Sequence, residues 1–383
     1  MMKYRLVTPG PAMVPAETLL ELAKPVRHHR TAENKALVAE AMDLLKRVMM
    51  TSNDVVLLTS SGTGAMETAV ANFIKPGDTA IAIVAGKWGE RWAELCKSFG
   101  ANLVTLSAEY GKVVTPDQLA AALKQHPNTV AVYGTLCDTS TAVAHDIEAM
   151  GKIVAATPAL FAVDGISGLG AMECRTDDWH IDLMVTGSQK ALMLPPGLAY
   201  LAVSAKAKKV LESNPTPPTY YFNLKQYLKS AAAKDTPYTP AHTLIAAQVQ
   251  SLRLMLEEGL EKVWANSTMM SRALLKAVEA LGLKSLAERP ATALTAVLAP
   301  SGIDAEAWAK LLEKKYQVKV AGGQGSLKGK IIRIAHMGYV DPLDLLGIVA
   351  AMEWSLKELG HPVELGKAVA IATKSLGEDL AKG

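Results

Sequence analysis

Lys190 is the residue of this sequence best placed for covalent chemistry. It stands in "MVTGSQKALMLPPG" (Met184 to Gly197), just past one apolar stretch and ahead of further apolar residues and two prolines. Burial disfavours the charged form of a lysine, lowers its pKa and frees the amine to form Schiff bases. The segment reads equally as carrying an ordinary surface lysine. Asp164, in "FAVDGISGLG", also follows an apolar run. A carboxylate there is either a turn residue or the partner of a buried cation. In "TSSGTGAMETAVANFI" (Thr59 to Ile74) a glycine-bearing turn leads into a helical pattern. Ser61, Gly62 and Thr63 could offer N–H groups and hydroxyls to an anion at the helix N-terminus, or Ser61 could simply cap the helix. The spacing matches neither the P-loop nor the dinucleotide fingerprint.

Two more residues have chemistry open to them. Trp88, between glycines in "AGKWGERW", reads as a loop residue whose flat ring either stacks on an aromatic ligand or covers a core edge. Arg333, on the alternating segment "IIRIAHMG", either clamps a carboxylate with its two-pronged guanidinium or faces solvent.

These residues must be positioned by a regular framework, and residues 55 to 205 supply its pattern. Short apolar runs, "DVVLLTS", "DTAIAIVAG", "ANLVTLSAE", "TVAVYGTL", "LFAVDGIS", "DLMVTGS" and "GLAYLAVS", alternate with amphipathic stretches. Continuous apolar runs bounded by turn residues are strands buried on both faces, and helical intervals between them are crossovers, so the fold class is α/β with a mostly parallel sheet flanked by helices. Ligands of such sheets bind beyond the carboxyl ends of the strands. From residue 241 onward long helical patterns take over, followed by strand-like "ALTAVLAP" and "KIIRIAHMG" and the helix "PLDLLGIVAAMEWSLKEL". This predicts a large domain over residues 1–255 and a smaller α+β domain over 256–383.

Composition narrows the classes of function. The 383 residues are half apolar and one-fifth charged, which excludes wholesale disorder and implies a large buried interior. Forty basic residues against 37 acidic ones give a formal charge of +3 without a basic run, so no nucleic-acid partner is expected. Cys96, Cys137 and Cys174 form no paired motif, so neither a disulfide framework nor a metal site is expected, and a reducing cytoplasm fits. No segment approaches the roughly 18 apolar residues of a membrane span.

Taken together, "VTPGP" (Val7 to Pro11), "HHR" (His28 to Arg30), "SSGTGAME" (Ser60 to Glu67), "KWGERW", "DTSTA" (Asp138 to Ala142), "VDGISGLG", "TGSQKAL" and "RIAHMG" resemble the class V aminotransferases of the pyridoxal 5'-phosphate (PLP) fold type I. The likeness is greatest to the alanine:glyoxylate and serine:pyruvate or serine:glyoxylate branch, and it covers nearly the whole chain. The resemblance implies transamination between serine or alanine and glyoxylate or pyruvate. It makes Lys190 the Schiff-base lysine and general base, Asp164 the partner of the pyridinium nitrogen, and Ser61, Gly62, Thr63 and Gln189 the phosphate ligands. Trp88 becomes the ring stacked on the pyridine, Thr139 the hydroxyl beside the ring oxygen, and Arg333 the ligand of the substrate α-carboxylate. "DTPYTPA" (Asp235 to Ala241), with Tyr238 and Thr239, is similar to the segment that reaches a neighbouring subunit's phosphate, which implies a homodimer with shared sites.

The sequence departs from the family pattern at Leu136, Cys137 and Asp138, where His-Gly-Glu is common, at Ala142, where glycine is common, and over Gly165 to Gly168. Cysteine desulfurases share the fold but carry a nucleophilic cysteine in the C-terminal region, whereas all three cysteines here precede residue 175. Other readings are a transaminase for another donor, such as pyridoxamine or ureidoglycine, and a non-catalytic relative serving as a subunit of another complex. The glycine-rich "VAGGQGSLKGK" before Arg333 reads as a hairpin turn or as a lid.

Overall fold

All seven apolar runs form strands of one sheet in a computed structural model that describes residues 2–214 and 217–381. In chain order they are β1 (Asp54–Leu58), β2 (Thr79–Val84), β3 (Asn102–Ser107), β4 (Thr129–Thr135), β5 (Leu160–Asp164), β6 (Leu183–Gly187) and β7 (Ala199–Val203). Their spatial order is β1-β7-β6-β5-β4-β2-β3, and β7 alone runs antiparallel to its neighbours.

Alternate residues of the strands feed two apolar layers. Val55, Leu57, Ile81, Ile83, Phe161 and Val163 enter one, while Val56, Leu58, Ala80, Ala82, Leu160 and Ala162 enter the other. With helices on both faces the inner strands are buried throughout and read as continuous apolar runs, whereas the edge strand Asn102–Ser107 is partly exposed and carries Asn102, Thr105 and Ser107. Removing a side chain as enclosed as Phe161 costs about 3–5 kcal/mol.

Two helices packed on this sheet carry cavity residues at their N-termini. Helix α1 (Gly62–Ala71) leaves the carboxyl end of β1, and α2 (Lys87–Ser98) leaves that of β2. Trp88 is therefore the second residue of a helix, which corrects its reading as a loop residue. Gly86, in extended backbone, is the N-cap from which α2 starts just before Trp88, and the local pattern could not separate this helix start from a loop.

Beyond the sheet, the helix His242–Glu258 ends at Gly259 (φ +91°), and α3 (Leu260–Ala280) follows in a new direction. Two strands, β8 (Leu294–Leu298) and β10 (Ile331–Ala335), pair antiparallel, and the short β9 (Ala321–Gly322) joins β10 on its other edge. The helices Pro342–Glu358 and Lys367–Leu380 pack with α3 to close this region's core. The N-terminal strand Arg5–Leu6 pairs in parallel with Val318–Lys319, and Val7 is buried in the same core. The chain thus enters through its C-terminal region and passes the ends of the main strands before building the large sheet.

Candidate active site

The carboxyl ends of the parallel strands converge on one cavity of about 350 Å³, within the usual range for small-ligand sites. Lys190, three residues beyond β6, is 7% exposed and lines it. Its Nζ donates to the Pro9 carbonyl and lies 5.9 Å from the centre of the Trp88 ring. Burial brings the Lys190 ammonium down to about 8, opposed by the negative charge of Asp164. Gly10 (φ +107°) covers the lysine stem so closely that a Cβ there would collide with Cδ and Cε of Lys190. The "TPGP" segment is thus one wall of the cavity.

Asp164, the last residue of β5, is 3% exposed. Burial raises its carboxyl to about 7, while an N–H from Ile166 to Oδ1 (2.8 Å) and the charges of Lys190 and Arg91 favour ionisation. No second hydrogen bond to this carboxylate occurs among the described residues, so a cation or N–H donor brought into the cavity would complete its environment.

Ser61 begins α1 without making a side-chain cap, so the plain capping role is not the one observed. Ser61, Gly62 and Thr63 line the cavity, where the free N–H groups and the dipole of the helix favour an anion. Gln189 joins them, and its side-chain oxygen is buried with no partner.

Trp88 and Thr139 are held by a carboxylate that sequence reasoning assigned no role. Asp138 is 1% exposed and accepts from the backbone N–H of Trp88 (3.0 Å) and from both the backbone N–H (3.0 Å) and the hydroxyl (2.5 Å) of Ser140. It thereby pins the start of α2 to the loop after β4. Gly86 makes this possible, because a Cβ there would occupy the space of the Asp138 carboxylate. Trp88 Nε1 then donates to Thr139 Oγ1 at 2.5 Å.

Arg333 does not face solvent. Its strand is buried throughout, and the residue is 6% exposed, its guanidinium donating from Nε to Gly322 O (2.8 Å) and from Nη1 to Thr139 O (2.7 Å). Both partners are neutral carbonyls, and no carboxylate pairs with it among the described residues. Burial lowers Arg333 to about 10, so it keeps its charge at neutral pH. The "VAGGQGSLKGK" segment contains β9 and its connection to β10, and it lends Ala321 and Gln324 to the cavity wall.

Lys190, Asp164, Ser61, Gly62, Thr63, Gln189, Trp88, Thr139 and Arg333 thus line one cavity, joined there by Arg91, Ser167 and the Pro9–Pro11 segment, which composition and spacing had not flagged. Tyr238 and Thr239 lie elsewhere within one chain, in a shallow aromatic recess with Tyr221 and Tyr227. Arg30 of "HHR" tethers that segment through Asp235 Oδ1 (2.8 Å) and Thr236 O (2.9 Å). Among the described residues no group of His, Cys, Asp and Glu is placed to hold a metal ion, and no helix is long and apolar enough to cross a membrane.

The mostly parallel sheet flanked by helices, with its smaller C-terminal α+β region, has the architecture of the α/β transferases of the PLP fold type I. Pyridoxamine–pyruvate aminotransferase from Mesorhizobium loti superposes with a TM-score of 0.95 at 28% identity, over 99% of this chain and 98% of that one. The class V aminotransferase family model matches residues 16–339, so the chain belongs to that family and is an aminotransferase. A Synechococcus protein described as the small subunit of a soluble hydrogenase is 39% identical over 98% of each chain. L-aspartate–glyoxylate aminotransferase of Paracoccus denitrificans is 35% identical over 95% of this chain and 94% of its own. Serine–glyoxylate aminotransferase of Methylorubrum extorquens is 33% identical over 99% and 98%.

Proposed function

We propose that the chain transfers an amino group from a small amino acid, serine or alanine, to a small 2-oxo acid, glyoxylate or pyruvate, with pyridoxal 5'-phosphate held in the strand-end cavity. The observation that carries this reading is a buried Arg333 without a carboxylate of its own, lining the same cavity as the Lys190 amine. A free α-carboxylate would supply the missing counter-charge while its amino-bearing carbon lies toward Lys190.

The cavity fits the cofactor on two observations: an uncapped helix N-terminus and an under-bonded buried Asp164. When bound, pyridoxal 5'-phosphate supplies an aldehyde for amines and a ring that takes up the electron pair of a broken Cα–H bond. Ser61, Gly62, Thr63 and Gln189 hold its phosphate group. The Asp164 carboxylate would pair with the ring nitrogen, whose proton would supply the donor Asp164 lacks. Trp88 would form the flat wall against the ring, and the Thr139 hydroxyl would serve the ring oxygen. Lys190, whose ammonium burial disfavours, would take the proton from the substrate Cα as a neutral amine and, as the ammonium, deliver it to the former aldehyde carbon.

The same proposal divides the chain into a large domain, residues 1–255, and a small one, 256–383, and places the enzyme in the cytoplasm. It also makes the enzyme a homodimer in which Tyr238 and Thr239 of each chain complete the phosphate site of the other. The three cysteines are buried and burial raises their thiols, Cys96 to about 12, which favours transamination over desulfuration.

The test is an absorbance spectrum of the purified protein, repeated with serine, alanine, aspartate, cysteine and pyridoxamine. Loss of the cofactor-aldehyde band with serine or alanine, and its return with glyoxylate or pyruvate, is the expected result. A response to pyridoxamine or aspartate alone would replace the donor, and sulfide released from cysteine without this cycle would refute the transaminase reading.

A further inference from the structure

We infer that Arg91 is a positioning residue of the anion end of the cavity: its guanidinium fixes the Thr63 hydroxyl as a donor to phosphate and adds a positive charge there. This role rests on pyridoxal 5'-phosphate being the occupant of the cavity. Arg91 lies one turn after Trp88 on α2, so both side chains leave the same face of the helix. Its Nη1 donates to Thr63 Oγ1 at 2.9 Å, and its Cζ lies 4.9 Å from the centre of the Trp88 ring. An arginine has only donors, so Thr63 is the acceptor in this bond and its own O–H stays free to donate. Thr63 lines the cavity in the first turn of α1, beside the uncapped Ser61.

The charge of Arg91 is available to a ligand. Lys87, on the same helix, is paired with Glu90 at 2.6 Å. Arg91 lines the cavity with a hydroxyl and an aromatic face as its direct partners, and its charge reaches the Asp164 carboxylate only through space, without an ion pair among the described residues. A helix N-terminus, a donor hydroxyl and a guanidinium converging on one point suit a dianionic phosphate better than a single carboxylate.

The experiment titrates cofactor-free wild type, Arg91→Met, Arg91→Gln and Arg91→Lys with pyridoxal 5'-phosphate and, separately, with pyridoxal, following absorbance and tryptophan fluorescence. Arg91→Met and Arg91→Gln should raise the Kd for pyridoxal 5'-phosphate tenfold or more and leave that for pyridoxal within threefold. Arg91→Lys should recover part of the loss, because it keeps the charge without the fork. Unchanged pyridoxal 5'-phosphate binding in folded variants would overturn the inference. So would equal weakening of both ligands, which would make Arg91 a prop for Trp88. A raised KM for aspartate with unchanged cofactor affinity would move its charge to the substrate and also overturn it. Failure of wild type to bind pyridoxal 5'-phosphate would refute the cofactor reading itself.

Discussion

Arg333→Met removes the one buried guanidinium assigned to the substrate carboxylate, and its cost can be worked from the site. Arg333 is 6% exposed and spends two of its five N–H donors on carbonyls, leaving three for a ligand. Deleting one partner of a buried charge pair costs about 2–5 kcal/mol. At about 1.4 kcal/mol per factor of ten, kcat/KM should fall by roughly 30- to 5,000-fold. Most of the fall should lie in KM, because the carboxylate is held before and during the reaction alike. The assay is steady-state turnover with serine or alanine and glyoxylate, with cofactor absorbance measured on the same samples. Arg333→Met should keep its cofactor, since Arg333 bonds to Gly322 and Thr139 carbonyls and to none of the residues assigned to the phosphate. Arg333→Lys, with charge but no fork, should fall between the two. The variant also strands two carbonyls, at about 1–3 kcal/mol each, so turnover is read well below its unfolding temperature. A folded Arg333→Met with kcat/KM within threefold of wild type would refute the assignment.

Three other perturbations follow from the geometry. Asp164→Asn should retain cofactor and lose about 10²- to 10³-fold in kcat, by analogy with other preorganised charges of about 3–4 kcal/mol; turnover near wild type would contradict the role given to the carboxylate. Gly10→Ala should displace the "TPGP" wall from Lys190 and lower the fraction of bound cofactor, read as absorbance per chain; an unchanged spectrum and KM would show that the wall is free to move. His336 is fully enclosed, with Nδ1 facing Thr292 O (2.7 Å) and Nε2 beside Thr295 Oγ1 (3.0 Å), and burial lowers it to about 4. The unfolded chain, titrating near 6.5, binds the proton more readily, so this stabilisation is complete above pH 6.5 and fades as pH falls toward 4. Between pH 6.5 and 4.5 it should amount to about 2–3 kcal/mol in urea unfolding, and His336→Gln should flatten that limb; an equal acid slope in both proteins would refute it.

The strands were legible because burial on both faces leaves a continuous apolar run, a signal carried by each segment alone. Lys190, Asp164 and the Ser61 turn were legible for the same reason, each lying directly after such a run. What depended on distant partners was not. Asp138 works through the backbone of Trp88, fifty residues earlier, and nothing in "DTSTA" states that contact. Arg91 looks like one charge of a solvated helix face until Thr63 is placed beside it. Whether Arg333 faced solvent or the cavity was settled by Thr139 and Gly322, which approach it from other elements. The pairing of Arg5–Leu6 with Val318–Lys319 spans almost the whole chain and leaves no local pattern. Tyr238 and Thr239 join no Lys190 cavity within one chain, and only the family resemblance gave them a role.

The central claim is that the Lys190 amine is the covalent anchor of the cofactor. Borohydride reduction of the cofactor-loaded protein, followed by proteolysis and mass spectrometry, tests it directly. The account predicts a pyridoxyl phosphate mass addition on the peptide containing Lys190, absent from Lys190→Ala. An addition on another lysine, or none in a protein that transaminates, would contradict it.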